Sequence, residues 1–359
     1  MRILFIVPYP LEGASNRIRV EQFLPYLKLR GITYKVRPFI NRRFYRILYL
    51  PSRYIEKTFW FVMCTLNRIL DIIRALRYDI IFIHREVYPF GGPIIEAVLY
   101  KIGKPIIFDF DDAIFLPNTS RQNIYIDMFK NPDKVHGIIR MSNLVIAGNE
   151  YLGSYALRFN KNVIVIPSSI DTEKYRPMQT KVERDGIVVG WIGSNTTKVF
   201  LYDIEDVFVK LSRKFKNLSF KIVGAKFECP RLNNVINKEW SLEDEIKDLQ
   251  DFDIGIMPMP DNDWTRGKCG FKAILYMALG IPAVCSSIGV NRTIIKDGVN
   301  GFLAAGHDEW LDRLSKLIED EALREKVGLE GRKTIEAFYS VKANSSKFIE
   351  ALTSVSDGK

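Results

Sequence analysis

The chain has few cysteines, and they form no pattern. Cys64, Cys229, Cys269 and Cys285 are scattered along 359 residues, with no CxxC pair and no spacing typical of a metal site. A disulfide framework and a cysteine-based zinc site are therefore not favoured. This cysteine usage is typical of a protein in a reducing compartment.

The sequence also lacks long apolar runs, internal repeats and low-complexity tracts. Its first residues, "MRILFIVPYP", contain one arginine and an apolar run that Pro8 interrupts. No small-residue cleavage site follows, so they predict a first β-strand rather than a signal peptide. The longest uncharged stretch of the basic region discussed below, "TFWFVMCTLN" (58–67), is too short to span a bilayer. We therefore expect a cytoplasmic protein.

What the sequence has in excess is positive charge. It contains 52 lysines and arginines against 42 aspartates and glutamates, a formal net charge of +10. Such an excess favours an anionic partner: a nucleic acid, a phosphorylated substrate or a membrane surface. The hydrophobic content of 47% is ordinary for a folded protein, and the length is typical of two domains.

Short apolar runs bounded by turn residues alternate with helix-like segments along the chain. Near-continuous runs of this kind indicate parallel strands covered on both faces, so we predict doubly wound α/β domains. A polar stretch at 171–186 interrupts the series and is the predicted interdomain linker. The runs are 2–9, 78–84, 104–110, 143–149 and 162–168 before that stretch, and 186–194, 218–224, 252–258 and 282–287 after it.

The stretch "FDFDDAIF" (108–115) places Asp109, Asp111 and Asp112 at the carboxyl end of a predicted strand, where ligands bind in such sheets. Three roles are open at this point. The aspartates can hold a divalent metal, supply a catalytic carboxylate, or cap the next helix through Asp111 or Asp112.

Two more polar clusters follow predicted strands. "LEGASNRIR" (11–19) contains Gly13, which lets a ligand approach the backbone, and has Arg17 and Arg19 at its far end. "HREVYPFGGP" (84–93) places His84, Arg85 and Glu86 at a strand end. We predict that these residues contact the acceptor or a donor sugar. The alternative is a salt-linked loop with a packed histidine.

Three segments together resemble a known family. "GFKAILYMALGIPAVCSSIG" (270–289) with "IIKDGVNGFL" (294–303) resembles the nucleotide-sugar segment of family 4 glycosyltransferases, of the glycosyl transferases group 1. "VIPSSIDTEKYRP" (165–177) is similar to the family's linker entry. "EAFYSVKANSSKFIEAL" (336–352) is similar to its last helix, which crosses back to the N-terminal domain.

The resemblance implies the GT-B fold, two Rossmann-like domains that face each other across a cleft. The N-terminal, acceptor-side domain is then 1–177, with the helix at 336–359 packed back onto it, and the nucleotide-sugar domain is 178–335. GT-B enzymes generally hold the diphosphate with a helix N-terminus and basic residues. The resemblance therefore implies no metal and no cofactor, since the nucleotide sugar is a substrate.

The chemistry of the nucleotide segment agrees with this resemblance. Gly270 opens a helix whose first backbone N–H groups, from Phe271 onward, can meet a diphosphate. Lys268 and Lys272 flank this helix start and add positive charge. Upstream, "GWIGSNTTK" (190–198) contributes the predicted donor-site residues Gly193 and Lys198. For each lysine the alternative is a solvated surface charge.

The sequence departs from the family at two positions. Most members carry two glutamates with seven residues between them, the second of which binds the ribose, whereas this chain has Gly267 and Leu275 there. Ribose recognition is then expected from backbone groups around Gly298 to Gly301, or donor binding has been lost. A subset of the family has a lysine at the position of Lys272.

In the N-terminal half, the resemblance assigns a role to "KPIIFDFDD". Many members have a His-Asp pair after this strand, and Asp111 takes the place of the histidine that faces the donor sugar, followed by Asp112. We predict Asp111 as the catalytic residue. It either stabilises an oxocarbenium-like transition state or serves as general base for an acceptor hydroxyl, and the two roles imply different stereochemistry.

Residues 41–77 supply much of the positive charge. Eight lysines and arginines stand against Glu56 and Asp71, with seven aromatic residues between Phe44 and Phe61, and Pro51 divides the segment into two predicted helices. Such a segment can lie in an anionic membrane interface, and this is our prediction. The alternative is a core helix with a solvated basic face. Nucleic acid is not expected as a partner, because no recognition-helix, KH or RRM pattern accompanies the charges.

We therefore predict a glycosyltransferase that moves a sugar from a nucleotide-sugar donor to a saccharide or lipid-linked acceptor. Its predicted place is the inner face of the cytoplasmic membrane, in cell-surface polysaccharide or glycolipid synthesis. Two alternatives stay open: a GT-B nucleotide-sugar epimerase, and a non-catalytic membrane-associated assembly partner.

Overall fold

The computed structural model describes residues 1–48, 50, 52–116, 131, 133–178 and 185–355. The chain divides into two compact units. The first comprises Met1–Ser168 with Asn344–Lys359, and the second comprises Ser169–Ala343. Each unit is built on one six-stranded parallel sheet, which confirms the predicted α/β architecture.

The sheet of the first unit has the strand order β2-β1-β3-β4-β5-β6. Strands β3 and β4 are buried along their whole length, because helices flank a sheet whose strands are almost entirely apolar. The strands are β1 Arg2–Val7, β2 Thr33–Pro38, β3 Ile80–His84, β4 Ile106–Phe110, β5 Leu144–Ala147 and β6 Val163–Val165. The helices are α1 Ala14–Arg19, α2 Leu24–Leu29, α3 Arg42–Leu48, α4 Tyr54–Ala75, α5 Ile94–Lys101, α6 Lys134–Met141 and α7 Glu150–Leu157, with a 3₁₀ turn at Glu21–Phe23.

The sheet of the second unit has the order β12-β11-β10-β7-β8-β9. Its strands are β7 Ile187–Ile192, β8 Leu218–Val223, β9 Val235–Lys238, β10 Ile254–Met257, β11 Ala283–Ser286 and β12 Phe302–Ala304. Its helices are α8 Val199–Tyr202, α9 Glu205–Lys214, α10 Glu245–Gln250, α11 Asp263–Arg266, α12 Phe271–Ala278, α13 Asn291–Ile294, α14 His307–Glu319 and α15 Glu321–Thr334. A π-helical turn at Ile335–Tyr339 precedes α16, Val341–Ser354.

The C-terminal residues of α16 belong to the first unit. The ring of Phe348 stacks on Phe23 at 4.4 Å and lies 5.7 Å from Phe82, and Lys347 Nζ donates a hydrogen bond to the Val165 carbonyl at 2.8 Å. Of the segment 336–359 predicted to pack on this domain, residues 344–355 supply these contacts, and 356–359 lie outside the described residues.

The boundary between the units falls earlier in the chain than residue 177. Tyr175 is buried in the core of the second unit, and Arg332 donates hydrogen bonds to the carbonyls of Thr172 and Tyr175. Ile170 forms a β-bridge with Ser340, which places the start of the expected linker in the second unit. Residues 179–184 of that linker lie outside the described residues.

The basic segment forms two helices, α3 and α4, as predicted. Phe44 and Ile47 of α3 are buried in a small apolar cluster with Phe39 and Cys64. Pro51, which was expected to separate the helices, lies outside the described residues.

Candidate active site

The polar strand ends of the first unit meet where the sheet order reverses. Strand β1 lies between β2 and β3, so the connections that leave β1 and β3 turn to opposite sides and open a crevice at the carboxyl edge. Ser15 follows β1, His84 ends β3, and Asp111 follows β4. Their side chains are in direct contact.

Six residues at this position form one hydrogen-bonded network, which we call the switch-point cluster: Ser15, Arg19, His84, Arg85, Asp109 and Asp111. His84 Nδ1 lies 2.7 Å from Asp109 Oδ2, and His84 Nε2 lies 2.6 Å from Ser15 Oγ. Ser15 Oγ is also 3.0 Å from Asp111 Oδ2, and Arg85 Nε donates to Asp111 Oδ1 at 2.7 Å.

Arg19 closes the buried end of the network. Its guanidinium donates to both carboxylate oxygens of Asp109, with Nε at 3.2 Å from Oδ2, and to the Ile166 carbonyl at 2.7 Å. His84 and Asp109 are fully buried, whereas the side chains of Arg85 and Asp111 are 23% and 11% exposed. Arg85 and Asp111 therefore form the accessible end of the network.

Electrostatics keep the carboxyl groups of the cluster ionised. Burial alone raises the pKa of Asp111, but the charges of Arg85 and His84 outweigh it and hold the pKa of Asp111 well below its usual range. Burial also raises the pKa of Asp109. The charge of Arg19 and the hydrogen bond from His84 lower it by more, so the pKa of Asp109 is below its usual value. Burial also disfavours a charged Arg85, yet Asp111 and Asp112 raise the pKa of its guanidinium above the usual value.

Arg85 has a strained backbone. Its φ of +62° is in the left-handed region that non-glycine residues rarely adopt. The conformation is fixed by two hydrogen bonds: Arg85 N–H donates to the Asp109 carbonyl and Glu86 N–H donates to the His84 carbonyl, each at 2.8 Å. Strain of this kind persists where the surroundings over-determine it, and here it accompanies the contact of Arg85 with Asp111.

The other predicted residues of this half have mainly local partners. Glu86 is ion-paired with Lys134. Asp112 Oδ1 accepts from the Ala113 N–H at 3.0 Å, a turn contact, and its carboxylate lies 4.0 Å from Arg85. The prediction that Asp112 or Asp111 caps the next helix concerns 117–130 in part, which lie outside the described residues.

Gly13 and Arg17 differ in what they contribute. A Cβ at Gly13 would lie 2.4 Å from Tyr9 Cβ, so Gly13 is required for close packing of the chain on itself. Arg17 is buried in α1, where its charge acts on the Tyr45 hydroxyl. Gly13 therefore has a structural role, and the contact of both residues with substrate stays a prediction.

The three aspartates do not converge as metal ligands. In the part of the chain that the structure describes, no group of three or more His, Cys, Asp or Glu side chains has the arrangement of a metal site. Asp109 turns to Arg19 and His84, while Asp111 turns to Arg85 and Ser15. Metal-independent chemistry stays a prediction.

Sequence patterns alone do not predict the pairing of Arg19 with Asp109 or the part played by Ser15. Arg19 and Asp109 pair across a separation of 90 residues, and Asp109 belongs to an apolar strand, where a fully buried carboxylate requires a charged partner. Ser15 lies in the first turn of α1, and nothing in the sequence distinguishes it from the neighbouring polar residue Asn16. The available signal was the charge of Asp109 inside a buried strand.

The predicted diphosphate residues of the second unit also lie where the order of the sheet reverses, between β7 and β10. Gly270 has φ +65° at the start of α12, and a Cβ there would lie 2.4 Å from Ile294 Cδ1. Phe271, the first residue of α12, is partly buried against the core. The tight glycine turn places the first N–H groups of α12 at the carboxyl edge of the sheet.

The lysines around this helix start contact two tryptophan rings and a backbone carbonyl of the second unit. Lys272 Nζ lies 5.3 Å from the centre of the Trp191 ring, and a Cβ at Gly193 would lie 2.9 Å from Lys272 Cε. Lys268 Nζ lies 3.7 Å above the Trp264 ring. These cation–π contacts orient the two ammonium groups. Lys198 Nζ donates to the Lys226 carbonyl at 3.0 Å.

The two positions without the family's glutamates are structural. Leu275 is buried in the core of the second unit, and Gly267 is buried at the end of α11. In the loop expected to replace the ribose ligand, the Gly298 N–H donates to the Gly301 carbonyl at 2.9 Å. That pair is therefore already hydrogen-bonded, and ribose recognition by this loop stays a prediction.

A cavity of about 400 Å³ opens beside the carboxyl ends of β10, β11 and β12. Polar side chains at its wall include Asp261, Ser287, Arg292 and His307. None of the predicted diphosphate residues lines it. The sequence pattern did not indicate this cavity, because its wall comes from four separate loops.

Helix α4 carries an exposed apolar face, defined by Ile55, Phe59, Val62, Leu66, Ile69, Ile73 and Leu76. The intervals of four and three residues place these side chains on one side of the helix, and their exposure runs from 49% to 89%. The opposite face, with Cys64, Arg68, Asp71 and Ala75, is buried. No helix in the described ranges combines the length and apolarity needed to cross a membrane.

Comparisons with known proteins agree with these geometries. Residues 186–320 match the model of the family described as "Glycosyl transferases group 1". Among curated relatives, the capsular polysaccharide biosynthesis glycosyltransferase CapM of Staphylococcus aureus is 22% identical over 257 residues, 68% of this chain and 61% of that protein. The D-inositol 3-phosphate glycosyltransferase of Kribbella flavida is 22% identical over 306 residues, 74% of this chain and 70% of that protein.

The fold is shared with solved structures along nearly the whole chain. The structure of Anabaena HepE in complex with UDP-glucose is 16% identical and has a TM-score of 0.69, covering 99% of this chain and 100% of that one. The resemblance to group 1 glycosyltransferases and the GT-B fold are thereby confirmed. Membership of family 4 within that group stays a prediction, and the match to CapM spans less than two thirds of that relative's length.

Proposed function

We propose that this protein is a glycosyltransferase that moves a sugar from a nucleotide-sugar donor to a saccharide or lipid-linked acceptor. The proposed pathway is the synthesis of a cell-surface polysaccharide or glycolipid. The observation that carries the proposal is the start of α12, where the turn at Gly270 and the lysine Lys272 lie at the reversal point of the sheet in the segment that matches the family model.

The donor would bind to the second unit through its diphosphate. The first N–H groups of α12 supply hydrogen-bond donors and the positive end of the helix dipole. Lys272 and Lys268 add positive charge beside them. The CapM relative is named for capsular polysaccharide synthesis, and HepE was solved with UDP-glucose, so UDP is the first nucleotide to test.

Asp111 would act at the reacting sugar. It is a partly exposed anion at the ligand-binding edge of the first unit, held by Arg85 and Ser15. A fixed negative charge can stabilise an oxocarbenium-like transition state, and a carboxylate can instead accept the proton of an acceptor hydroxyl.

The exposed apolar face of α4 supports binding of the protein to a membrane surface. This helix buries an arginine and an aspartate and exposes its aliphatic side chains, the reverse of what water alone would favour. Arg42, Arg43 and Arg46 lie on α3, which packs against α4, and Arg53 precedes α4, so this region carries positive charge. We therefore propose that α3 and α4 bind an anionic membrane surface, with the apolar face at the acyl boundary.

The first experiment is a thermal-shift panel with UDP, GDP, ADP and CMP. A nucleotide that binds the folded protein raises its melting temperature, with a stabilisation of about 2.7 kcal/mol at a concentration one hundred times Kd. We expect one of the diphosphates to stabilise the protein and the corresponding nucleotide sugar to be consumed only when an acceptor is present.

Two results would contradict the proposal. Turnover of the donor at full rate without an acceptor would indicate a GT-B epimerase. The absence of stabilisation by every nucleotide would favour a non-catalytic assembly partner, as the leucine and glycine at positions 275 and 267 also would.

A further inference from the structure

We infer that His84 is a buried imidazolium and that Ser15 and His84 are positioning residues that hold Asp111 as an oriented anion. The use of this arrangement in catalysis rests on the proposed glycosyl transfer. The charge state of His84 does not rest on it, because it follows from counting hydrogens in the switch-point cluster.

The buried end of the cluster fixes the first ring proton. The carboxylate of Asp109 accepts two hydrogen bonds from Arg19, so it is ionised and has no proton to give. His84 Nδ1, 2.7 Å from Asp109 Oδ2, must therefore be the donor of that hydrogen bond.

Ser15 fixes the second ring proton. The hydroxyl has a single hydrogen but lies 2.6 Å from His84 Nε2 and 3.0 Å from Asp111 Oδ2. If Nε2 carried no proton, Ser15 would donate to it, and the lone pairs of Ser15 and Asp111 would oppose each other at 3.0 Å. When Nε2–H donates to Ser15, the hydroxyl donates to Asp111, and every short contact contains one hydrogen.

The charges around the ring agree with this assignment. The groups that face His84 are Arg19 and Ser15 from α1, Arg85 from the end of β3, and Asp109 and Asp111 from β4 and the residues after it. Asp112 lies 4.0 Å from Arg85. The two carboxylates nearest the ring, Asp109 with Oδ2 at 2.7 Å from Nδ1 and Asp111 with Oδ1 at 4.0 Å from Nε2, both stabilise a positive charge on it.

The arrangement resembles a serine–histidine–aspartate triad in its spacing but not in its proton positions. In a triad the neutral imidazole accepts the serine proton and activates the hydroxyl as a nucleophile. Here the serine proton points to Asp111, so the hydroxyl is not activated. The hydrogen bonds run from His84 through Ser15 to Asp111 and from Arg85 to Asp111, and together they fix the orientation of that carboxylate.

The test is nitrogen-15 NMR of the full chain, which has three histidines. His136→Gln and His307→Gln variants identify the other two sets of ring signals. We expect both ring nitrogens of His84 to show protonated-type shifts at pH 7.5. A Nε2 shift of the unprotonated type in the parent protein at pH 7.5 overturns the inference, whatever the enzyme assay shows.

Kinetics then separate positioning from structure. Ser15→Ala should lower kcat by about tenfold or more with KM for the donor little changed, and Ser15→Thr, which keeps the hydroxyl, should restore most of it. Equal kcat for Ser15→Ala and the parent would overturn the positioning role. If no nucleotide sugar is turned over by the parent, the proposed function fails, while the NMR result still decides the charge of His84.

Discussion

Asp111 receives hydrogen bonds from two different kinds of donor, a guanidinium and a hydroxyl, and both reach it from other strand ends. Such a carboxylate is fixed in direction and stays charged at neutral pH, because Arg85 holds its pKa low despite burial. These are the properties needed to stabilise developing positive charge. They make the group a weak proton acceptor, so we favour charge stabilisation over general-base action.

Asp111→Asn removes the charge and keeps the shape. We expect turnover to fall by roughly 10²–10⁴, the range for a positioned acid or base, while nucleotide binding to the second unit stays unchanged. Steady-state kinetics and calorimetry measure the two effects. Asp79→Asn is the control, since this exposed carboxylate precedes β3, away from the carboxyl edge of the sheet, and is paired with Arg2. Turnover that EDTA abolishes and Mg²⁺ restores would show instead that the aspartates bind a metal.

Lys272 offers a separate prediction in the second unit. Lys272→Ala should weaken binding of the nucleoside diphosphate by roughly 1.5–3 kcal/mol, the range for a hydrogen bond to a charged group. Calorimetry with the diphosphate identified by thermal shift measures the change. The control is Lys316→Ala, an exposed lysine of α14 paired with Asp312. If Arg292→Ala weakens binding and Lys272→Ala does not, the nucleotide occupies the cavity beside β10–β12.

Helix α4 is attached to the first unit through a buried ion-pair network in addition to the apolar cluster around Phe39 and Cys64. Asp71 accepts hydrogen bonds from Arg37 of β2 and from Arg68 and Arg74 of its own helix. Arg68 also donates to the Val7 carbonyl of β1 at 3.1 Å. Burial lowers the pKa of Arg68 to about 10, against the opposing effect of Asp71. The buried side of the helix thus combines an ion-pair network with a small apolar cluster, while a row of aliphatic side chains faces outward.

Asp71→Asn should therefore destabilise the protein strongly. Loss of the carboxylate leaves Arg68 buried without its charged partner, and such a loss costs about 3–5 kcal/mol. Urea unfolding followed by circular dichroism measures the change in the free energy of unfolding. Glu56→Gln in the same helix removes an exposed pair with Arg53 and should cost about 0–1 kcal/mol. Similar losses for the two variants would mean that the network does not hold α4.

The exposed apolar face of α4 gives the opposite expectation. Leu66→Ser with Ile69→Ser should leave the free energy of unfolding almost unchanged, because both side chains are about half exposed. The same pair should weaken binding to anionic vesicles by up to about 1.5–3 kcal/mol per side chain. Vesicle cosedimentation measures this, and binding of the parent should fall steeply with salt.

Two further variants test the membrane proposal. Replacing Arg42, Arg43 and Arg46 with serine should weaken vesicle binding by roughly 1 kcal/mol per charge. Leu329→Ser, an exposed leucine of α15, is the matched control and should have no effect. A different outcome would assign the face to a second copy of the chain. In that case the parent would not bind vesicles but would dimerise with increasing concentration, and the Leu66→Ser with Ile69→Ser variant would not dimerise.

At the scale of the whole molecule, the sequence predicted the inner strands and one edge strand, β6, and missed the edge strands β2, β9 and β12. Two of the missed strands, "TYKVRP" and "VINK", are not continuously apolar because edge strands are partly exposed, and β12 has only three residues. The strand-end positions of His84 and Asp111 could be read from the pattern. Their partners could not, since Arg19 and Asp109 meet only after residues 90 apart are brought together by folding.

Acid should destabilise the molecule through the switch-point cluster. The pKa values of Asp109 and Asp111 are lowered in the folded state, so the unfolded chain binds more protons as pH falls below the ordinary aspartate value of about 4. Their contribution to stability is present above that pH and is lost as pH falls toward the folded values. Burial raises the pKa of Glu96 in the folded protein, so protonation of this carboxyl favours the folded state. Its effect on the free energy of unfolding is therefore opposite to that of the two aspartates and occurs at higher pH.

Urea unfolding at pH values from about 6 down to 3 measures this dependence. At pH values below about 4, we expect the free energy of unfolding of the parent to decrease. The decrease should be shallower in Asp111→Asn, which has one titrating carboxyl fewer. Glu96→Gln should change the dependence only above that window, where the buried glutamate takes up its proton. A parent and an Asp111→Asn variant with parallel curves below pH 4 would mean that Asp111 is not held ionised by Arg85 in the folded protein.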